Sequence, residues 1–182
     1  MTPWSQLRVV ASPASPAAVL ALAYSDTGIA DKHSTGIDRL LAACEVSGFS
    51  AECGSWLDVI GDLPGPRRSL VLGLGTSQPE TPCRWIAVGG FLVDAMQALR
   101  LPNLQLPSAA SIGSEERLEQ LVLGALLHSF RPEYKRARRT VDFEPLALLI
   151  DAKDALLAER AQRVANTVNR AREWVERPAN LL

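Results

Sequence analysis

Between Arg67 and Gly75 the chain reads Arg-Arg-Ser-Leu-Val-Leu-Gly-Leu-Gly, and this stretch limits the possible folds more than any other. The four residues from Leu70 to Gly73 carry no polar side chain, and Leu74 continues the run. A strand with one wet face alternates apolar with polar residues; a strand covered on both faces need not. Gly73 and Gly75 have no Cβ, so another backbone can approach and positive φ is open to them. Helical patterns flank the stretch on both sides. The expectation is a sheet between helices, with this strand near its middle.

The rest of the chain supplies parts for such a sandwich. Leu7 to Val10 and Val19 to Tyr24 read as strands, separated by a Pro/Ser/Ala loop at 11–16. Ser34 is placed to cap a helix from Thr35 to Ser47, whose apolar side is Ile37, Leu40, Leu41 and Cys44. Gly48 follows where a left-handed helix end is expected. Phe49 to Cys53 and Ser55 to Ile60 read as two short strands paired around Gly54, and Asp62 to Pro66 as a loop.

Thr81 and Pro82 open a helix with the stripe Trp85, Ile86, Gly89, Leu92, Val93, Met96 and Leu99. Gly89-Gly90 inside it costs about 1 kcal/mol per glycine relative to alanine, which points to close packing on the sheet. Asn103 to Leu106 is a strand. Ser114 caps a helix buried through Leu118, Leu121, Val122, Ala125 and Leu126, and ending near Phe130. Pro145 to Ile150 is a further strand. A last helix runs from Asp154 to Glu176 and is closed by Pro178. Its apolar side is expected to be Ala161, Val164, Ala165, Val168, Ala171 and Val175. Glu159, Arg160, Arg163, Asn166, Arg170 and Glu173 are expected opposite.

A chain of 182 residues with 47% hydrophobic residues buries enough surface to fold without staples. Its 19 Lys+Arg nearly balance 20 Asp+Glu, so no global field draws it to nucleic acid or an anionic membrane. The N-terminus has no basic segment followed by an apolar one, and no run is long enough to cross a bilayer. Cys44, Cys53 and Cys83 are odd in number and fit no zinc spacing, so free thiols in a reducing, cytoplasmic compartment are expected.

No constellation of side chains announces chemistry. Gly73-x-Gly75 lacks the third glycine of a dinucleotide loop, that place being Gln78, and no Gly-Lys-Ser/Thr follows. His33 and His128 are the only histidines and have no metal-ligand spacing. Arg131, Lys135, Arg136, Arg138 and Arg139, beside Phe130 and Tyr134, form a basic cluster that reads as a solvated loop or intersubunit patch before it reads as a phosphate grip. The nearest carboxylate groupings are Asp58 with Asp62, Asp151 with Asp154, and Glu115, Glu116 and Glu119. None repeats a ligand set, so no catalytic, cofactor-binding or metal residue is assigned.

Three stretches together resemble a known family. They are Ser69-Leu70-Val71-Leu72-Gly73-Leu74-Gly75, then 119–130 running on to Tyr134-Lys135, and then Val168 through Asn180. In this order and at these separations they resemble the N-terminal domain of the leucine aminopeptidase (cytosol aminopeptidase) family. The third stretch is the most specific, matching at Ala171, Arg172, Pro178 and Asn180. It departs from the family at Glu173, Trp174 and Glu176, and Ser129 replaces a usual tyrosine of the second.

The resemblance implies a macro-domain-like α/β/α fold with a mixed sheet over residues 1–150. A long linker helix at 151–182 would lead toward a catalytic domain. It also implies a hexameric parent that releases N-terminal residues from peptides. Its two divalent metal ions, Mn or Zn, would be held in that catalytic domain and not by this chain. Asn166-Thr167-Val168-Asn169-Arg170 only superficially echoes the catalytic motif and lacks its carboxylates. The expected function is a non-catalytic, structural or oligomerising domain. The alternative is a standalone macro-like module binding a nucleotide or ADP-ribose-type ligand at Gly73 to Ser77.

Overall fold

The computed structural model describes residues 7–11, 16–30, 37–61, 68–78, 83–130 and 146–176. Among these, one sheet contains seven strands: β1 (Leu7–Ala11), β2 (Val19–Tyr24), β3 (Gly28–Ile29), β4 (Trp56–Ile60), β5 (Arg68–Gly73), β6 (Asn103–Gln105) and β7 (Leu146–Ile150). The helices are α1 (Ile37–Ser47), α2 (Arg84–Ala98), α3 (Ala109–Ile112), α4 (Glu115–His128) and α5 (Ala155–Glu176), the last entered through a 3₁₀ turn at Ala152–Asp154.

The strand order is β1-β7-β6-β2-β5-β4. The first five are mutually parallel and β4 is antiparallel to β5, so the sheet is mixed. The short β3 pairs antiparallel with the end of β2, on the side away from β5. The expected central strand is therefore displaced: β5 lies one in from the β4 edge, and β2, with three partners, holds the middle. Burial on both faces did not require a central place, because an antiparallel edge strand covers its flank just as well.

Alternation along the strands sorts side chains into two layers. Leu20, Leu22, Leu70 and Leu72 point into a large core with α2, α4 and α5. Ala21, Ala23 and Val71 point the other way, into a small core with Leu40 of α1, Ile29 and Ala51. The result is three layers, a thick one of several helices and a thin one made by α1.

Two local readings are corrected. Residues 49–53 form no strand; β4 pairs with β5 instead. Ala51 and Gly54 take left-handed φ of 52° and 84°, which breaks an extended run, and the 51–55 loop folds onto Gly73. Gly73 N–H donates to the Ser55 carbonyl at 2.8 Å, and Gly54 N–H to the Gly73 carbonyl at 3.1 Å. A Cβ on Gly73 would overlap the Glu52 carbonyl and the Ser55 hydroxyl, so glycine is required there for close approach.

Gly89 likewise faces a backbone, but that of α4 and not the sheet: a Cβ would collide with the Leu121 carbonyl and the Ala125 amide. Gly124 of α4 reciprocates against the Ile86 carbonyl. The glycines thus let α2 and α4 touch backbone to backbone.

The last helix departs furthest from its sequence pattern. Its buried residues are Leu157, Ala158, Ala161, Ala165, Asn169 and Glu173. Val164, Ala171 and Val175, expected inside, are exposed, Val168 is half-buried, and Glu173, expected on the opposite side, is inside. The i, i+4 ridge 157-161-165-169-173 seats against the domain, as when helices cross at an angle. α4 and β1 are its partners. The ends expected at Ser34, Thr81, Pro82, Pro178 and Asn180, and the loop at 62–66, lie outside the described residues.

Candidate functional site

Strand ends are the first place to look, because ligands of open α/β sheets bind beyond the carboxyl ends of parallel strands. Here β2 and β5 end side by side. Leu74 N–H donates to the Ala23 carbonyl at 2.8 Å, and Ser25 N–H to the Gly75 carbonyl at 2.9 Å. Gly75, at φ +75°, then turns the chain so that Ser77 meets Asp26. The Asp26 carboxylate accepts from the Ser77 amide at 2.9 Å and from its hydroxyl at 2.6 Å. The Ser77 hydroxyl foremost, with nearby amides, holds the Asp26 carboxyl below its usual value. Arg84 of α2 closes the turn from outside, donating to the Thr76 carbonyl at 2.7 Å. An internal carboxylate thus takes donors that a bound phosphate would need. Asp26 carried no signal in the sequence; it is one acid in a four-residue turn.

The carboxylate groupings come apart in the same way. Asp58, in β4, accepts two bonds of 2.8 Å from the Arg68 guanidinium on the neighbouring strand. This hydrogen-bonded carboxylate raises the Arg68 pKa. Asp154 is buried and accepts the Ala109 amide at the start of α3 at 3.1 Å. Asp151 pairs with Lys153, Glu119 with Arg160, and Glu116 accepts from Gln120. Among the described residues no three His, Cys, Asp or Glu side chains come together as a metal site. These residues do not fit a two-metal centre. Cys44 is half-buried, which pushes its thiol pKa up, and Cys53 and Cys83 are exposed; all three are free.

A cleft of about 480 Å³ lies where α2, α4 and the end of α5 converge. Ile86, Phe91 and Phe130 give it apolar walls, and Asp94, His128 and Arg172 a polar rim. His128 Nε2 lies 2.8 Å from Asp94 Oδ1. Gly90 makes room for the imidazole, whose Nδ1 is 3.2 Å from where a Cβ would stand. Among the described residues the lining holds no hydroxyl or thiol beside this pair. His33, Asp62, and the basic cluster Arg131, Lys135, Arg136, Arg138 and Arg139 with Tyr134 lie outside the described residues.

The motif on α5 has a structural task. Arg172 Nη1 donates to the Leu127 carbonyl at 3.1 Å, and Asn169 Nδ2 to the Leu126 carbonyl at 3.4 Å. Together they satisfy carbonyls in the last turn of α4, where intrahelical donors run out. Asn169 Oδ1 is buried and has no partner among the described residues.

No protein-family model matches this chain. A probable cytosol aminopeptidase of Brucella melitensis is 27% identical over 158 residues, covering 81% of this chain and 32% of its own length. Tomato leucine aminopeptidase, solved as a point mutant, superposes with a TM-score of 0.69 and 19% identity over 97% of this chain and 39% of its own. The macrodomain of Mycobacterium tuberculosis DarG superposes at 0.50 with 13% identity, over 79% of this chain and 97% of its own. The chain thus spans about a third of the length of the curated relatives it matches. The expected resemblance to the N-terminal domain of leucine aminopeptidases, and the macro-like fold with its long last helix, both hold. Among the described residues no helix is long and apolar enough to cross a membrane.

Proposed function

We propose that this chain serves as the non-catalytic N-terminal domain of a leucyl aminopeptidase-like metallopeptidase, with a structural and assembling role. One observation carries the reading: similarity to cytosol aminopeptidases runs through 81% of the chain yet covers only 32% of the relative. Residues 1–150 form the macro-like unit, and 151–182 lead toward the catalytic part of a cytoplasmic parent that releases N-terminal residues from peptides. Two divalent ions belong to that catalytic part. The carboxylates described above are occupied by Arg68, the α3 amide and surface partners, so no step of peptide hydrolysis is assigned to them.

The test is hydrolysis of leucine-p-nitroanilide by the purified chain, with and without Mn²⁺ or Zn²⁺, against a full-length family enzyme. The expected result is turnover no greater than a metal-only blank. Metal-dependent turnover in a sample free of host peptidases would overturn the reading. Titration with ADP-ribose separates it from the ligand-binding alternative. With Ser77 engaged by Asp26, no binding tighter than about 10 μM, roughly −7 kcal/mol, is expected.

A further inference from the structure

Asp26 is an exposed acid whose partners are not bases. Among the described residues no Lys, Arg or His pairs with it. Its two oxygens collect other donors. Oδ1 accepts from the Ser77 amide at 2.9 Å, and Oδ2 from the Ser77 hydroxyl at 2.6 Å. The Ser77 hydroxyl foremost, with the amides of Ser77, Asp26 and Thr27, holds the carboxyl below its usual value. Backbone amides that converge on one point form a nest, and a nest takes an anion.

The Ser77 donors are set by the fold and not by Asp26. Gly75 N–H donates to the Ala51 carbonyl at 2.9 Å, and Leu74 N–H and Ser25 N–H staple the ends of β5 and β2 together. Arg84 of α2 fixes the Thr76 carbonyl at 2.7 Å and brings a positive charge to the same turn. Ser77 therefore keeps its place when the carboxylate leaves. Asp26 by contrast is exposed, and exposed side chains change rotamer in picoseconds to nanoseconds. The nest also lies beyond the carboxyl ends of two adjacent parallel strands, where open α/β sheets bind ligands.

We propose that this turn is a phosphate-group site closed from within: Asp26 occupies the Ser77 donors, and a phosphate group takes them only when the carboxylate swings out. Tethering explains why the site stays shut. A group on a short tether acts at an effective concentration of about a millimolar or more, so free phosphate below that level is excluded. Both are oxyanions that seek the same N–H and O–H groups, and like charge keeps them from sharing. A plain structural staple has another signature, since removing it would cost stability and create no binding. The inference stands apart from the aminopeptidase reading.

The experiment is titration of the intact chain with inorganic phosphate at constant ionic strength, followed through the amide signals of residues 26, 27 and 77 in NMR spectra. The parent is compared with Asp26→Ala, with Asp26→Asn, and with Asp26→Ala combined with Ser77→Ala. The expected result is saturable binding by Asp26→Ala at least about tenfold tighter than by the parent. Asp26→Asn, which removes the charge and keeps an acceptor for Ser77, falls between them. Adding Ser77→Ala abolishes the gain, while circular dichroism stays that of the parent. Equal affinity in parent and Asp26→Ala, or no saturation in any chain, would overturn the proposal. So would saturation that survives Ser77→Ala, the mark of an adventitious ion only. If Asp26→Ala does not fold, Asp26→Asn decides, and no gain over the parent overturns the proposal. None of these outcomes touches the resemblance to the N-terminal domain.

Discussion

Helix α4 is crossed twice, and the two crossings are built on different physics. Against α2 it brings Gly124 to Gly89, and the backbones touch over an apolar core. Against α5 the seam begins apolar, through Ala161 and Ala165, and ends polar, through Asn169, Arg172 and Glu173. The first crossing holds by shape: nothing larger than hydrogen fits. The second holds by satisfying the carbonyls at the end of α4. An apolar contact there would have left the Leu127 carbonyl without its guanidinium. The polar seam also leaves Val164, Trp174 and Val175 on the outward side of α5.

The largest expected effect of breaking this contrast is at the glycine crossing. Gly124→Val places a side chain on the Ile86 carbonyl and should cost about 3 kcal/mol or more, or abolish folding. Gly89→Ala is the graded version. Helix propensity alone would favour it by about 1 kcal/mol, so net destabilisation in urea melts means that steric overlap wins. Stabilisation would show that the crossing is looser than described.

The two ends of α4 give a finer comparison. Ser114 caps its start, its hydroxyl accepting the Arg117 amide at 3.1 Å, and Ser114→Ala should cost about 1 kcal/mol. Asn169→Ala should cost less than about 1 kcal/mol in the same urea titration. It forfeits one bond, but the Leu126 carbonyl keeps the Ser129 hydroxyl at 3.1 Å, and the buried Oδ1, unpartnered among the described residues, is removed. A loss as large as that at Gly124 would mean that the polar seam bears as much of the fold as the glycine crossing.

The smallest effect lies in the turn far from both crossings. Ser77 holds the Asp26 pKa below the unfolded value near 3.8, so folding favours the ionised form. The resulting stability is present above that value and is lost as pH falls through the lower folded one. Asp26→Asn should therefore flatten the fall in melting temperature below about pH 4 and leave the glycine and α5 variants ranked as before. An unchanged acid profile would mean that the Asp26–Ser77 contact adds no measurable stability.

What could be read from sequence follows the same division. The strands at 7–10, 19–24 and 103–106, the Ser114 cap and the apolar side of α4 were all visible, because periodicity and capping are local. Gly89 announced close packing, but sequence alone could not tell a helix from a sheet as the neighbour. β3 and α3, of two and four residues, are too short to carry a period. The 49–53 stretch failed because Ala51 adopts a left-handed angle that nothing in its type predicts. The inner face of α5 failed for a stronger reason. Asn169 and Glu173 have surface chemistry, and only the carbonyls at the end of α4 explain Asn169 inside. No site was legible because the acids that sequence could group are spent separately, and Asp26 with Ser77, 51 residues apart, meets only in the fold.

The reversed face of α5 can be read directly by thiol accessibility. In a chain with Cys44, Cys53 and Cys83 replaced by Ser, single cysteines are placed at 165, 168, 169, 171, 173 and 175. Their labelling rates are measured at a concentration low enough to keep the chain monomeric. Fast labelling is expected at 171 and 175, protection at 165, 169 and 173, and an intermediate rate at the half-buried 168. Protection at 171 and 175 with rapid labelling at 169 and 173 would restore the ordinary amphipathic helix and contradict it.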